Sequence, residues 1–260
     1  MVAISGIETY PAPRCFRVED RGGVTVVTID RPPANALAPD LVADGLAVLD
    51  ALRRGRPRAV VLMGAGRFFS GGADLRVVPR LSRDEQAEMG RGVNRLFAGW
   101  HCLPCPLVTA VNGHAVAGGL VLALCGDYRI GPTTGRFGLT EIKAGIPFPS
   151  MAMAVVQAEL APGVARRLIL GAELVDAPTA RELGVFDEIA DDDSGVVARA
   201  LDVARALAEL PPSSYGVVKQ HLRASTLAGA GAPGAAMREA VADEALAAAR
   251  SILDRDAKER

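Results

Sequence analysis

Gly118 and Gly119 are the residues from which the chemistry of this chain is read. An apolar run from Leu107 to Val111 stops at Asn112-Gly113, and Ala117-Gly118-Gly119 then opens a second apolar run with no charge before Asp127. That pattern predicts a strand, a turn and a buried helix. Two glycines at the mouth of a helix leave backbone N–H groups that an oxygen can reach without meeting a side chain, and the helix dipole favours negative charge there. Such a place can hold an oxyanion; the plainer alternative is that the glycines only let the helix pack closely. A second stretch of this kind, Gly64 to Leu75, contains Ser70-Gly71-Gly72-Ala73-Asp74 and follows the apolar Ala59 to Met63. It offers further backbone donors, with Asp74 able to cap a following helical stretch. Strand, glycine loop and helix therefore recur at Ala59 to Leu75 and at Leu107 to Cys125, a repeated β-β-α plan whose two loops can face one site. Glu141 comes just after the short strand Arg136-Phe137-Gly138 and adds a carboxylate.

The elements that must position these groups can be read in chain order. Phe16 to Asp20 and Val24 to Asp30 read as a hairpin joined at Gly22-Gly23, the second strand being rich in β-branched residues. Pro32-Pro33 breaks the strand, and Pro39 suits the first turn of a helix that runs to Leu52. Ser82 to Trp100 predicts a mixed-charge amphipathic helix opened by a capping box of Ser82 and Glu85, in the role of a solvated cover. Tyr128 to Ile130 is a short strand, and the chain from Ser150 is mostly helical. Phe186 to Ile189 is expected as a last strand, and Asp191-Asp192-Asp193 as a charged turn. Further helices are expected at Val196 to Leu210, Ser213 to Leu222 and Ala235 to Leu253, with a linker at Leu227 to Gly234. This divides the chain into a core, residues 1–195, and a C-terminal helical region, residues 196–260, that packs on the core or on a neighbouring subunit.

Composition narrows the function classes. Lys plus Arg number 29 and Asp plus Glu 30, a net charge of −1 that offers no broad attraction to nucleic acid or to an acidic membrane. Only Lys143, Lys219 and Lys258 are lysines, so a phosphate contact would come chiefly from arginine or backbone N–H groups. The first residues lack the basic leader and apolar core of a signal peptide, and no uncharged apolar run reaches spanning length, so a cytoplasmic location without membrane contact is expected. Cys102 and Cys105, in His101-Cys102-Leu103-Pro104-Cys105, invite a zinc or redox reading. No second ligand cluster accompanies them, and ordinary buried thiols with no bound metal are the expectation for Cys15, Cys102, Cys105 and Cys125.

Three stretches in order carry a resemblance: Gly66 to Leu75, Ala110 to Gly119 with the following Asp127-Tyr128-Arg129, and Phe137 to Pro147. Together they resemble the crotonase superfamily, the enoyl-CoA hydratases and isomerases, over about Phe16 to Ile189. The resemblance implies an α/β fold, a spiral of β-β-α repeats with a C-terminal helical region, assembled as a homotrimer or homohexamer. It implies an acyl-CoA thioester as substrate, with coenzyme A part of that substrate and no separate cofactor. It also implies that the backbone N–H groups of Ala73 and Gly118 hold the thioester oxygen and that Glu141 is the acid–base. Asp74, Leu75 and Arg76 would lie by the CoA moiety, with Arg76 the candidate for a phosphate contact.

Hydratases of the family use two glutamates. One matches Glu141; the position of the other, three residues after Gly118, holds Val121, which can neither hold nor activate a water. The loop after Gly145 also departs from the hydratase pattern, with Pro147-Phe148-Pro149-Ser150-Met151 in place of a glycine-rich run. Both departures are similar to the single-glutamate Δ3,Δ2-enoyl-CoA isomerases. Isomerisation by one carboxylate is thus the leading expectation; a slow or specialised hydratase that uses Glu141 alone or a carboxylate supplied from elsewhere, and a non-catalytic acyl-CoA-binding protein, are the alternatives. Phe68, Phe148, Met151 and Met153 are candidates for the acyl pocket or for ordinary core. Asp74 and Asp127 read as structural, a helix cap and a strand-end hydrogen-bond partner.

Overall fold

The computed structural model describes residues 14–191 and 193–230. It opens with the expected antiparallel hairpin of β1 (Phe16–Asp20) and β2 (Thr25–Ile29). Helix α1 (Pro39–Gly55) follows, with proline in its first turn. The repeated plan comes next. Strands β3 (Val60–Gly64) and β4 (Phe68–Ser70) lead to α2 (Arg83–His101), and β5 (Leu107–Ala110) and β6 (His114–Val116) lead to α3 (Gly118–Leu124). A further copy runs through β7 (Tyr128–Pro132) and β8 (Phe137–Gly138), a 3₁₀ turn at Glu141–Ala144 and α4 (Ser150–Glu159). Helices α5 (Pro162–Gly171) and α6 (Ala177–Glu182), strand β9 (Glu188–Ala190), α7 (Asp193–Ala208) and α8 (Pro212–Gly229) complete the described chain.

Within each repeat the first strand joins a large sheet and the second a small one. The large sheet has the order β1-β2-β3-β5-β7-β9, parallel from β2 onward, and the small sheet is β4-β6-β8, also parallel. This is the α/β spiral of β-β-α repeats. The large sheet is apolar on both faces because alternate residues of a strand point opposite ways. Val27, Val60, Leu62 and Leu107 join the main core with residues of α1 to α4, whereas Val26, Val61, Val108 and Ala110 meet Val196, Ala200 and Ala204 of α7 on the other face. No described helix is long and apolar enough to cross a membrane.

Several expectations are corrected. Strands β4 and β6 lie inside stretches read from sequence as glycine loops and turns. At three residues each they are too short for an alternating pattern to stand out, and parallel neighbours in the adjacent repeats hold them. Asp74 does not cap a helix: a turn and a 3₁₀ segment, Val78–Arg80, follow it, and its side chain accepts from the Arg76 N–H instead. Helix α2 starts with the expected capping box but is no solvated cover, because Val93, Leu96, Phe97 and Trp100 in its second half are buried in the main core. Helix α8 extends through Gly229, past the expected linker start at Leu227. The expected helix at Ala235 to Leu253 lies outside the described residues.

Helix α8 docks by charge. Lys219 and Arg223, whose side chains are only 5% and 6% exposed, contact Asp127 at 2.6 and 2.9 Å. Asp127 also accepts the Leu107 N–H at 2.8 Å, the strand-end partnership expected of it. Arg223 reaches Glu159 on α4 as well, and Arg129 joins Glu159 to Asp187. Wholly buried His101 lies beside this cluster, with neither ring nitrogen hydrogen-bonded to a described residue. Burial, helped by the Arg223 and Lys219 charges, pushes its pKa down to about 3, so the imidazole is neutral.

Candidate active site

The small sheet collects the groups singled out by sequence. Its strands run parallel, so their C-terminal ends lie together at one edge, where parallel sheets tend to carry their sites. Strand β4 ends into Gly71-Gly72-Ala73, β6 into Ala117-Gly118, and β8 into Leu139-Thr140-Glu141. Val116 pairs with Gly138, and the Ala117 N–H donates to the Gly138 carbonyl at 2.7 Å, fastening the entrance of α3 to the strand that leads to Glu141.

The two glycine loops touch. A Cβ built on Gly72 would fall 3.1 Å from the Gly118 nitrogen and 2.7 Å from the Val116 carbonyl oxygen. One built on Gly119 would fall 2.0 Å from the Ser70 carbonyl oxygen, so the start of α3 approaches β4 more closely than any side chain permits. The hydrogen-bond pattern singles out two donors. The Gly71 N–H donates to the Ala34 carbonyl at 2.8 Å, Gly72 to the Ser70 Oγ at 3.3 Å and Asp74 to the Leu37 carbonyl at 2.9 Å. The N–H of Ala73, between them, donates to no described residue. Gly118 is the first residue of α3 and has no carbonyl one turn back within the helix, and its N–H likewise donates to no described residue.

Glu141 is 6% exposed, and its Oε2 has no hydrogen-bond partner among the described residues. Burial pushes its pKa up to about 7, against a smaller downward pull from its own backbone N–H. No charged side chain of the described residues contributes, which leaves a carboxyl poised between its two protonation states near neutrality. Val121, one turn into α3 from Gly118, is wholly buried in the main core.

Asp74, Leu75 and Arg76 form the turn after the first loop. The Asp74 carboxylate is engaged by the Arg31 guanidinium at 2.8 Å and by the Arg76 N–H at 3.0 Å, so any ligand contact there would fall to backbone or to Arg76. Leu75 is half-buried, and Arg76 is exposed with no ion pair to a described residue. Among the acyl-pocket candidates, Met151 is buried in the main core, Phe148 and Met153 pack against it, and Phe68 lies against the His114 ring with centroids 4.9 Å apart. The four cysteines are free, and burial raises the pKa of each, to about 11 for Cys15 and Cys105.

Sequence reasoning missed the segment behind the first loop. Arg31 to Leu37 reads as a mere strand break, yet Asn35 and Arg31 reach the loop with their side chains and Ala34 and Leu37 with their backbone. Asn35 has a left-handed backbone, φ 50°, and no alternation or periodicity announces such a position.

Comparison with known proteins agrees with this architecture. Residues 19–251 match the family described as enoyl-CoA hydratase/isomerase. A Thermus thermophilus protein provisionally named an enoyl-CoA hydratase is 36% identical over 79% of this chain and 82% of its own length. Enoyl-CoA delta isomerase 3 of Arabidopsis thaliana is 31% identical over 74% of this chain and 84% of its own. The crystal structure of human mitochondrial delta3-delta2-enoyl-CoA isomerase superposes with a TM-score of 0.86 over 95% of this chain and 100% of that one; at 23% identity the likeness is one of fold.

Proposed function

The chain belongs to the enoyl-CoA hydratase/isomerase family of the crotonase superfamily, and from that premise we propose that it moves a double bond from Δ3 to Δ2 in an acyl-CoA thioester with one carboxylate. In this reading the Ala73 and Gly118 N–H groups stabilise the enolate oxygen as charge develops, and Glu141 takes a proton from C2 and returns it to C4. Asp74, Leu75 and Arg76 lie by the CoA moiety, and the reaction needs no cofactor beyond the coenzyme A of its substrate. The observation that carries the reading is the buried Oε2 of Glu141, with no hydrogen-bond partner among the described residues, combined with an apolar Val121 where a second carboxylate would stand. Proton shuttling needs one base and no ordered water; hydration needs a water positioned and deprotonated as well. Because the base must be ionised, turnover should rise with pH and be half-maximal near pH 7.

The test is to give the pure protein 2-enoyl- and 3-enoyl-CoA thioesters in heavy water and to follow product and deuterium by mass. Interconversion without gain of water is expected. Efficient hydration without isomerisation would establish the second reading, an enoyl-CoA hydratase, which the name of the Thermus thermophilus relative favours.

Val121 separates the two readings. A carboxylate at this position could hold a water against the enoyl group, so Val121→Glu should raise hydration relative to isomerisation, at a cost of a few kcal/mol for burying a charge in the apolar core. The measured quantity is the product ratio of folded variant and wild type. An unchanged ratio would show that the missing second glutamate does not set the reaction.

A cytoplasmic homotrimer or homohexamer completes the proposal. Ile142, next to Glu141, Leu170 and Leu174, and Val217, Val218 and Leu222 on α8 are exposed apolar residues that support contact between subunits. Light scattering that returned the mass of a monomer at micromolar concentration would remove this part.

A further inference from the structure

Gly71, Gly72 and Asp74 spend their N–H groups on fixed acceptors, and those acceptors trace back to a short segment on the far side of the loop. Ala34 and Leu37 accept from Gly71 and Asp74, while the Leu37 N–H donates to the Gly72 carbonyl at 2.7 Å, a parallel bridge between Leu37 and Ala73. Ser70, wholly buried, donates its hydroxyl to the Asn35 carbonyl at 2.8 Å while accepting the Gly72 N–H. Asn35 secures the arrangement. It is 1% exposed, its amide nitrogen donates to the Ala65 carbonyl at 3.0 Å and to the Phe68 carbonyl at 2.7 Å, and its amide oxygen accepts the Arg31 N–H at 2.9 Å. One side chain thus grips both ends of the turn that precedes β4 and closes its own turn at Arg31. Its left-handed backbone aims its carbonyl at Ser70, a conformation that asparagine tolerates better than most residues.

We infer that Asn35 and Ser70 are positioning residues that set the direction of the Ala73 N–H, and that rate depends on them although neither donates to substrate. The inference rests on the reading of Ala73 as an oxyanion donor. A hydrogen bond to a developing oxyanion is steep in distance and angle, and a displacement near 1 Å can cost about 10²-fold in rate. With the brace cut, the loop still closes through its backbone bonds to Ala34 and Leu37, but the Ala73 N–H loses its fixed aim. The expected signature is a fall in kcat with KM little changed.

The experiment uses the full chain and a 2-enoyl-CoA with an isotope-labelled thioester carbonyl, whose stretching frequency is read by infrared difference spectroscopy in the bound state. Donors aimed at the oxygen lower that frequency in the wild type. Asn35→Gly keeps the left-handed backbone and removes the side chain; Ser70→Ala removes one hydroxyl and carries the same test where Asn35→Gly does not fold. Both are expected to lose part of the frequency shift and up to about 10²-fold in kcat while binding the thioester within about threefold. A folded variant with the full wild-type shift, or one that loses affinity and rate together, overturns the positioning role. Absence of any shift in the wild type would instead remove the donor assignment itself, so the two failures are distinguishable.

Discussion

Glu141→Gln is expected to lower turnover by about 10³-fold or more while acyl-CoA binding stays within a few-fold, since positioned acid–base groups contribute roughly 10²–10⁴-fold. Glutamine keeps the shape of the side chain and removes the base. Steady-state rates and a binding titration on the same preparation check it, and wild-type turnover in the variant would take Glu141 out of the mechanism. The same substitution has a second consequence, in stability. Burial raises the folded-state pKa of Glu141 from 4.5 to about 7. A raised pKa means that its contribution to stability is fully present below pH 4.5 and is lost as pH rises through 7, where a buried carboxyl must ionise. The loss is at most on the order of 3 kcal/mol. The variant should lack this dependence, so the melting-temperature difference, variant minus wild type, should grow from pH 5 to pH 8. It is the trend that matters, because the new amide nitrogen has its own burial cost.

Gly72→Ala should lower kcat by roughly 10²–10³-fold, the typical effect of losing one oxyanion donor. Gly72 has φ +77°, and a methyl group there would sit 2.7 Å from the Val116 carbonyl oxygen, 2.8 Å from the Ala117 Cβ and 3.1 Å from the Gly118 nitrogen. The two loops cannot keep their contact, so Ala73 and Gly118 move apart. Gly66→Ala is the control. Gly66 has a similar φ of +73° with nothing within 4 Å of the added carbon, so it bears the left-handed penalty of about 1–2 kcal/mol without the collision. The control should keep kcat. Equal losses in both variants would assign the effect to backbone strain and leave the contact between the loops without a role.

The parts of this fold that were legible in sequence are those in which one local pattern decides the outcome. The hairpin at Gly22-Gly23, the proline start of α1, the capping box at Ser82 and the glycines that open α3 all appear in the structure where their residue types require them. What was not legible depends on residues far apart in the chain. Strands of three residues exist because neighbouring repeats present matching edges. The burial of Lys219 and Arg223 depends on Asp127, 92 residues before Lys219, which draws them inward. The burial that perturbs Glu141 is equally non-local, since the residues around its own turn include the exposed Ile142 and Lys143.

Three groups offered by three successive strand ends make the site additive in a way that single-loop sites are not. Neighbouring strands are about 4.8 Å apart, so the sheet acts as a ruler that spaces the groups whatever follows each strand. On the mechanism proposed above, the carboxylate follows β8 while the two N–H donors follow β4 and β6, so each group is carried by a different strand of the small sheet. On that mechanism, such a scaffold lets evolution or a designer exchange one chemical component at a time, keeping the grip on a carbonyl oxygen while the fate of the adjacent carbon is rewritten.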